Sequence, residues 1–398
     1  MLKFYSSSTR VINTCRGVQE CLEIAMGDNF AESNLLIFHA SIGHDFHEMI
    51  SEAKKLAPKA RILATSCCGV VGREGVSESM KDMALMAITG NEFSIEFTDE
   101  IYGYNSYEKS LEMAKKLKFA SPQVNMLYFL ASGIDIANDL CIKAFEDIFG
   151  PEVTIFGATS SDNMKGHISY QAVDQAVYEH GAYVVGFSDL SLKVETQATH
   201  GFVAIGEPLV VTHSEGHIIN EFNGKPALTE YLNRLGLPAD SECGDTIPIG
   251  ALGEKLSVNL ANEYGNDHLL RVVTKFDKND MYYATQCPVG TELWLTNRDE
   301  ELIFSEMTRM VEVIKKNIGD NEVVAVFHAD CLARGRFLFN RIIKEELVGR
   351  MQFPFFINGE CPPWLGMYGF GEFARLGKKN TYHNYTTALY VIYRIKTA

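Results

Sequence analysis

The sequence predicts an α/β protein: two α/β halves with mixed sheets, repeated strand-helix-strand units, and helices packed on the sheets. Three observations carry this. Short β-branched or aromatic runs alternate with amphipathic stretches along the 398-residue chain. One strand–turn–helix–strand pattern recurs. Hydrophobic residues make up 46% of the chain and charged ones 22%, ample for a buried core in two or three domains.

Taken in order, Leu35–Ala40 reads as a strand, Glu48–Leu56 as a helix and Arg61–Thr65 as a second strand. Met83–Thr89 is another apolar strand-length run, followed by a helical stretch at Tyr107–Leu117. Met126–Ala131 leads into helix Ala137–Phe149, which stops at Gly150-Pro151 because proline cannot continue a helix. Val153–Phe156 and Ala182–Phe187 are strands. Pro226 fits the first turn of helix Ala227–Leu235, ended by Gly236 with Pro238 beyond. His268–Lys275 reads as one strand. Asn297 is expected to cap helix Asp299–Ile318, with Glu300 completing a capping box. Ile303, Met307, Met310, Ile314 and Ile318 form one apolar stripe on it. Strand Val323–His328, helix Arg336–Leu347, strand Phe353–Ile357 and strand Ala388–Ile395 close the pattern.

The repeat is visible residue by residue. Phe38-His39-Ala40-Ser41, Phe129-Leu130-Ala131-Ser132 and Phe327-His328-Ala329-Asp330 align. About thirty residues later each is followed by small or polar residues: Ser66-Cys67-Cys68-Gly69, Gly157-Ala158-Thr159-Ser160 and Asn358-Gly359-Glu360. A unit of this size is a parallel crossover. The carboxyl ends of such strands are where α/β proteins bind ligands.

Charge and cysteines narrow the function. Lys+Arg number 36 against 51 Asp+Glu, a net charge of −15, which argues against nucleic acid and anionic lipid as partners. No signal-peptide h-region precedes the first strand, and the apolar runs are too short to span a bilayer. A cytoplasmic protein without membrane insertion is expected. Nine cysteines at irregular spacing fit reduced thiols. No Cys-x-x-Cys occurs, so structural zinc and covalent c-type haem lack their signature.

Three segments carry candidate chemistry. His328, Asp330, Cys331, Arg334 and Arg336 lie where a strand ends and a helix begins. Two guanidinium groups there favour an anion and would make Cys331 partly thiolate. The alternative makes His328 and Cys331 half-buried turn residues and Asp330 a helix cap. Cys67 and Cys68 occupy the equivalent strand end, with Arg73 just beyond. Ligand contact and a tight turn both suit them. Glu360, Cys361 and Glu372 belong to a proline-stiffened region. A carboxylate there pairs with Arg334, meets a ligand ammonium, or is a surface acid. Eleven histidines offer many axial-ligand candidates, His328 and His383 among them.

Arg61–Gly90, the run VVAVFHADCLARGRFLFNRI, the run FPFFINGECPPWLGMYGFGEFARLG and His383-Asn384-Tyr385-Thr386-Thr387 together resemble the FIST family. The resemblance implies a lead-in at 1–33, a FIST N-terminal domain at 34–222, a FIST C-terminal domain at 223–375 and a final strand segment at 376–398. It implies an intracellular sensor with no catalytic residues. The stand-alone members imply non-covalent haem b, nitric oxide as the sensed ligand and a histidine kinase as the regulated partner; His328, by its location at the strand end, is the candidate axial residue. A non-haem amino-acid sensor is the alternative, and a Cys331–His328 enzyme a third reading. No output domain is attached, so the output would come from another protein, and a homodimer is allowed. Asp330 before Cys331 and the Gly-Glu-Cys-Pro-Pro turn depart from the common pattern, suggesting a ligand of its own.

Overall fold

The computed structural model describes residues 1–163, 165–335 and 341–396. The α/β expectation holds, and the strands group into three units of one design. The first contains β1 (Lys3–Thr9), α1 (Thr14–Met26), β2 (Leu35–Ser41), α2 (Phe46–Leu56), β3 (Arg61–Cys67), a hairpin of β4 (Val70–Gly72) and β5 (Gly75–Ser77), and β6 (Met83–Thr89). The second contains β7 (Phe93–Thr98), α3 (Ser106–Ala120), β8 (Met126–Ala131), α4 (Asn138–Phe149), β9 (Thr154–Thr159), a hairpin of β10 (Gln171–Val173) and β11 (Ala176–Tyr178), and β12 (Ala182–Phe187).

The third unit begins with β13 (Leu192–Thr199) and is interrupted by an insertion. The insertion runs through β14 (Phe202–Glu215), β15 (Ile218–Phe222), β16 (Lys225–Pro226), α5 (Ala227–Leu235), α6 (Cys243–Thr246), β17 (Leu252–Lys255), α7 (Val258–Tyr264), β18 (His268–Arg271), β19 (Val273–Asp277), β20 (Asp280–Tyr283) and β21 (Glu292–Arg298). The unit resumes with α8 (Glu300–Ile318), β22 (Glu322–Cys331), α9 (Leu332–Gly335), α10 (Arg341–Gln352), β23 (Trp364–Gly369), a hairpin of β24 (Gly371–Leu376) and β25 (Lys379–His383), and β26 (Thr387–Arg394).

Each unit builds the same four-stranded sheet, in the orders β1-β6-β2-β3, β7-β12-β8-β9 and β13-β26-β22-β23. The pairs β2/β3, β8/β9 and β22/β23 are parallel, as the repeat predicts. Phe38, Phe129 and Phe327 sit opposite Ala64, Gly157 and Leu365. Gly157 is required: its φ is +134°, and a Cβ there would lie 2.1 Å from the Phe129 carbonyl oxygen.

The hairpins are exchanged around a ring. Strands β10 and β11 of the second unit extend the first sheet through β3. Strands β24 and β25 of the third extend the second through β9. Strands β4 and β5 of the first extend the third through β23. The inner faces of all three sheets share one core, including Ile37, Met86, Tyr128, Phe156, Phe327 and Tyr390. Hydrogen bonds between His39 Nε2 and the Tyr128 hydroxyl (2.8 Å), between the Thr65 and Tyr183 hydroxyls (2.5 Å), and from the Tyr390 hydroxyl to the Gly157 carbonyl (2.8 Å) join the units. Helices cover the outer faces, with α1 and α2 on the first sheet, α3 and α4 on the second, and α8 and α10 on the third. The insertion forms a separate eight-stranded sheet with its own core of Leu209, Val211, Phe222, Tyr231 and Leu293.

Several expected elements are corrected. The partner of β22 is Trp364–Gly369, not Phe353–Ile357; the latter run starts as a 3-10 turn at Phe353–Phe355. Pro354 has no N–H to give a ladder, so an aromatic run became a turn. His268–Lys275 divides between β18 and β19. Asp299, not Asn297, caps α8, its side chain accepting the Leu302 N–H at 2.9 Å. Asn297 is a β21 residue. The start of the expected helix Arg336–Leu347 lies outside the described residues. No helix among them is long and apolar enough to cross a membrane.

Candidate functional site

A cavity of about 510 Å³ lies where the second unit, the third unit and the insertion meet. The turn after β8 supplies Gly133 to Ile136 and Asn138. Gly133 is needed there because a Cβ would meet the Ser160 carbonyl oxygen at 2.0 Å. The end of β22 supplies Cys331, with Leu332 and Ala333 following. The insertion adds Val272 through Lys275 and Tyr282 through Ala284, and Phe370, Tyr382 and Tyr385 complete the wall.

Most of this lining is apolar or aromatic, but two polar atoms stand out. The Asn138 Oδ1 and the Tyr283 hydroxyl have no hydrogen-bond partner, although each residue is only 3% exposed. An unpaired buried polar group costs about 1–3 kcal/mol, and both residues that carry one here are part of the cavity wall. Burial holds the Tyr283 phenol far above its usual range, so it stays a protonated donor. Asp135 and Lys275 are exposed charges at the margin.

Cys331 lines this cavity, yet it is no thiolate. Burial, reinforced by the nearby Glu372, pushes its thiol well above the ordinary range, and N–H groups of Ala333 and Tyr385 offset this only in part. This corrects the expectation drawn from the neighbouring arginines. Behind it lies a buried charged cluster. Arg334 Nη1 donates to Asp330 Oδ2 at 2.9 Å. The expected Arg334–Glu372 pair is absent among the described residues; Glu372 Oε2 instead accepts the Thr386 hydroxyl at 2.7 Å. Burial, aided by Asp330, keeps the Glu372 carboxyl protonated well above the carboxylate range. Asp330 is therefore the arginine's partner rather than a helix cap.

The other candidates are dispersed. His328 is buried in the third sheet, its Nε2 2.8 Å from the Thr387 hydroxyl and its ring edge-on to Trp364. It lines none of the five cavities found. His328 Nε2 is engaged by Thr387, and its Nδ1 is buried without a partner among the described residues. His217 is the histidine that lines the main cavity. His383 is fully buried, with Nδ1 3.1 Å from the Tyr264 hydroxyl, and burial lowers its pKa to about 3. No group of three metal-ligating side chains occurs among the described residues.

Cys67 and Cys68 are buried at the end of β3, where the Cys68 N–H donates to the Tyr368 carbonyl at 3.1 Å. Burial pushes the Cys67 thiol up. Arg73 donates to the Cys361 carbonyl at 3.1 Å and lies 3.7 Å from the exposed Glu360 carboxylate. These three residues thus meet at the junction of the first and third units, and they do not line the main cavity. Burial pushes the Cys361 thiol up to about 12. Arg336 lies outside the described residues. Asn138 and Tyr283 were missed. The repeat held a signal for Asn138, because it places Ser132-Gly133 at the same strand end as Asp330-Cys331.

Residues 34–225 match the FIST N domain, and residues 227–375 match the FIST C domain. No curated protein matches the chain. Among solved structures, a chorismatase shares 10% identity over 99% of both chains, with a TM-score of 0.34. PurLQS from Thermotoga maritima shares 9% identity over 99% of this chain and 73% of its own, with a TM-score of 0.23.

Proposed function

The chain belongs to the FIST family, and on that premise we propose that it is a small-ligand sensor for signal transduction whose ligand occupies the 510 Å³ cavity. One observation carries this: Asn138 and Tyr283, each with a buried side-chain oxygen that has no partner, belong to different parts of the fold and line the same cavity. A ligand bridging them binds only the arrangement that brings those parts together. It thereby shifts the balance between arrangements that a partner protein reads. Apolar walls at Ile134, Ile136, Val272 and Phe370 suit an aromatic or branched body.

Cys331 and His328 favour binding over catalysis. The thiol is neutral, and the His328 Nε2 is engaged by Thr387 rather than by Cys331. The test is thermal unfolding of the full chain with aromatic and branched-chain amino acids and their deaminated analogues. A true ligand at a hundred times its Kd adds about 2.7 kcal/mol of stability. Asn138→Ala and Tyr283→Phe should lose that gain.

The family-based haem, nitric-oxide and histidine-kinase reading enters as a second arm. Purified protein titrated with haem would give a Soret band that nitric oxide shifts. Loss of that band in His217→Ala would move the ligand to the cavity histidine. A flat thermal response together with no haem spectrum refutes the cavity reading.

A further inference from the structure

A second cavity, about 210 Å³, lies directly behind Tyr385. It is lined by Phe202, Ile247 to Ile249, Ala251 and Thr296 to Arg298, and it shares Ile247 and Tyr385 with the main cavity. The Tyr385 hydroxyl donates to the Ile247 carbonyl at 3.1 Å, and Tyr385 is a non-glycine residue with φ of +56°. Such a backbone conformation is held by its surroundings rather than by the residue's own preference.

Arg298 gives this second cavity its character. It is half-buried, and no carboxylate lies within ion-pair distance of it among the described residues. Its Nη2 donates to the Ala333 carbonyl at 3.3 Å, and Ala333 itself lines the main cavity. Its guanidinium sits 5.7 Å from the Phe202 ring. Its Nε is buried and has no partner. A cation kept half out of water without a counter-ion is a receptor for an anion, and guanidinium suits planar carboxylate best.

We propose that Arg298 is the anion-binding residue for the sensed ligand, which is a small organic acid with an aromatic or branched body. The body lies in the main cavity, and the acidic group passes Tyr385 to reach the guanidinium. The Tyr385–Ile247 bond gives way as it does so, which couples occupancy to the 247–251 segment. This rests on the cavity reading above, and the test separates the two.

The probes are phenylacetate, indole-3-acetate and phenyl phosphate against phenylacetamide, titrated calorimetrically into the full chain. Wild type should bind the acids roughly tenfold to a hundredfold more tightly than the amide. Arg298→Gln should erase that preference and Arg298→Lys should keep part of it. The contrast between these two variants reports charge even where both lower the melting temperature. Preference for phenyl phosphate over phenylacetate supports the anion site with phosphate as its chemistry. Equal binding of acid and amide that Tyr283→Phe abolishes overturns the anion site and leaves the cavity reading standing. An acid preference that survives in Arg298→Gln also overturns it. No binding of any probe, acid or amide, overturns the anion site, and the thermal and haem titrations above then decide the cavity reading on their own.

Discussion

Replacing Glu372 by glutamine should make the protein progressively more stable than wild type as pH rises. Glu372 is fully buried, with one oxygen bonded to Thr386 and the other unpaired. Burial outweighs the Thr386 bonds and the Arg334 charge, and it keeps the carboxyl protonated well above the carboxylate range. In the unfolded chain the same group titrates near pH ~4.3. Above that pH the folded protein holds a proton that the unfolded chain has lost. The stabilisation is therefore complete below ~4.3 and declines with rising pH, by about 1.4 kcal/mol per pH unit until the folded value is reached. Glutamine has nearly the same shape, keeps an acceptor for Thr386 and does not titrate. Urea unfolding of both proteins at about pH 5.5 and 7.5 should therefore show the difference moving in the variant's favour, by at most about 3 kcal/mol over that interval. Taking the difference cancels every titration the two proteins share. Parallel pH curves would refute the protonated carboxyl, and with it the account of this cluster.

The histidines act in the opposite sense. Burial lowers His39 to about 4 and His200 and His383 to about 3, against about 6.5 unfolded. Their contribution is present above pH ~6.5 and lost as pH falls towards the folded values, by up to about 4 kcal/mol per pH unit for the three together. NMR should show none of these imidazoles titrating between about pH 7.5 and 5, and a midpoint near 6.5 for any of them contradicts its burial. Arg334→Met leaves Asp330 charged and buried without its partner, costing about 3–5 kcal/mol in urea unfolding. Adding Asp330→Asn should recover part of that loss, and strict additivity of the two changes would mean that the residues are not coupled. Gly157→Ala drives a methyl into the Phe129 carbonyl and should cost at least roughly 2 kcal/mol. An unchanged melting temperature would contradict the close strand approach.

The parallel crossovers were legible because the Phe-x-Ala-Ser and Phe-x-Ala-Asp endings recur at matching strand ends. The third partner strand was not. Trp364–Gly369 contains two glycines and no β-branched residue, whereas the aromatic run at Phe353 looked more like a strand until Pro354 ended it. The exchanged hairpins left almost no trace, since β4, β5, β10 and β11 are three residues each and too short for periodicity. The Cys331–Arg334 strand end was readable as a place, but its charge states were not. They are set by burial and by residues distant in sequence, such as Glu372 and Thr386. Tyr283 and Arg298 belong to no motif, and only the packing of the insertion against the repeats puts Tyr283 in one cavity wall with Asn138.

The ring of exchanged hairpins also imposes a schedule on biosynthesis. Strand β4 has to wait for β23, with Val71 opposite Gly366, roughly three hundred residues later in the chain. At about 5–20 residues per second, translation of that interval takes roughly 15–60 s. Throughout it the nascent first unit presents open strand edges that other chains can pair with. Truncated translation products that lack the last strands should therefore aggregate rather than persist as soluble fragments.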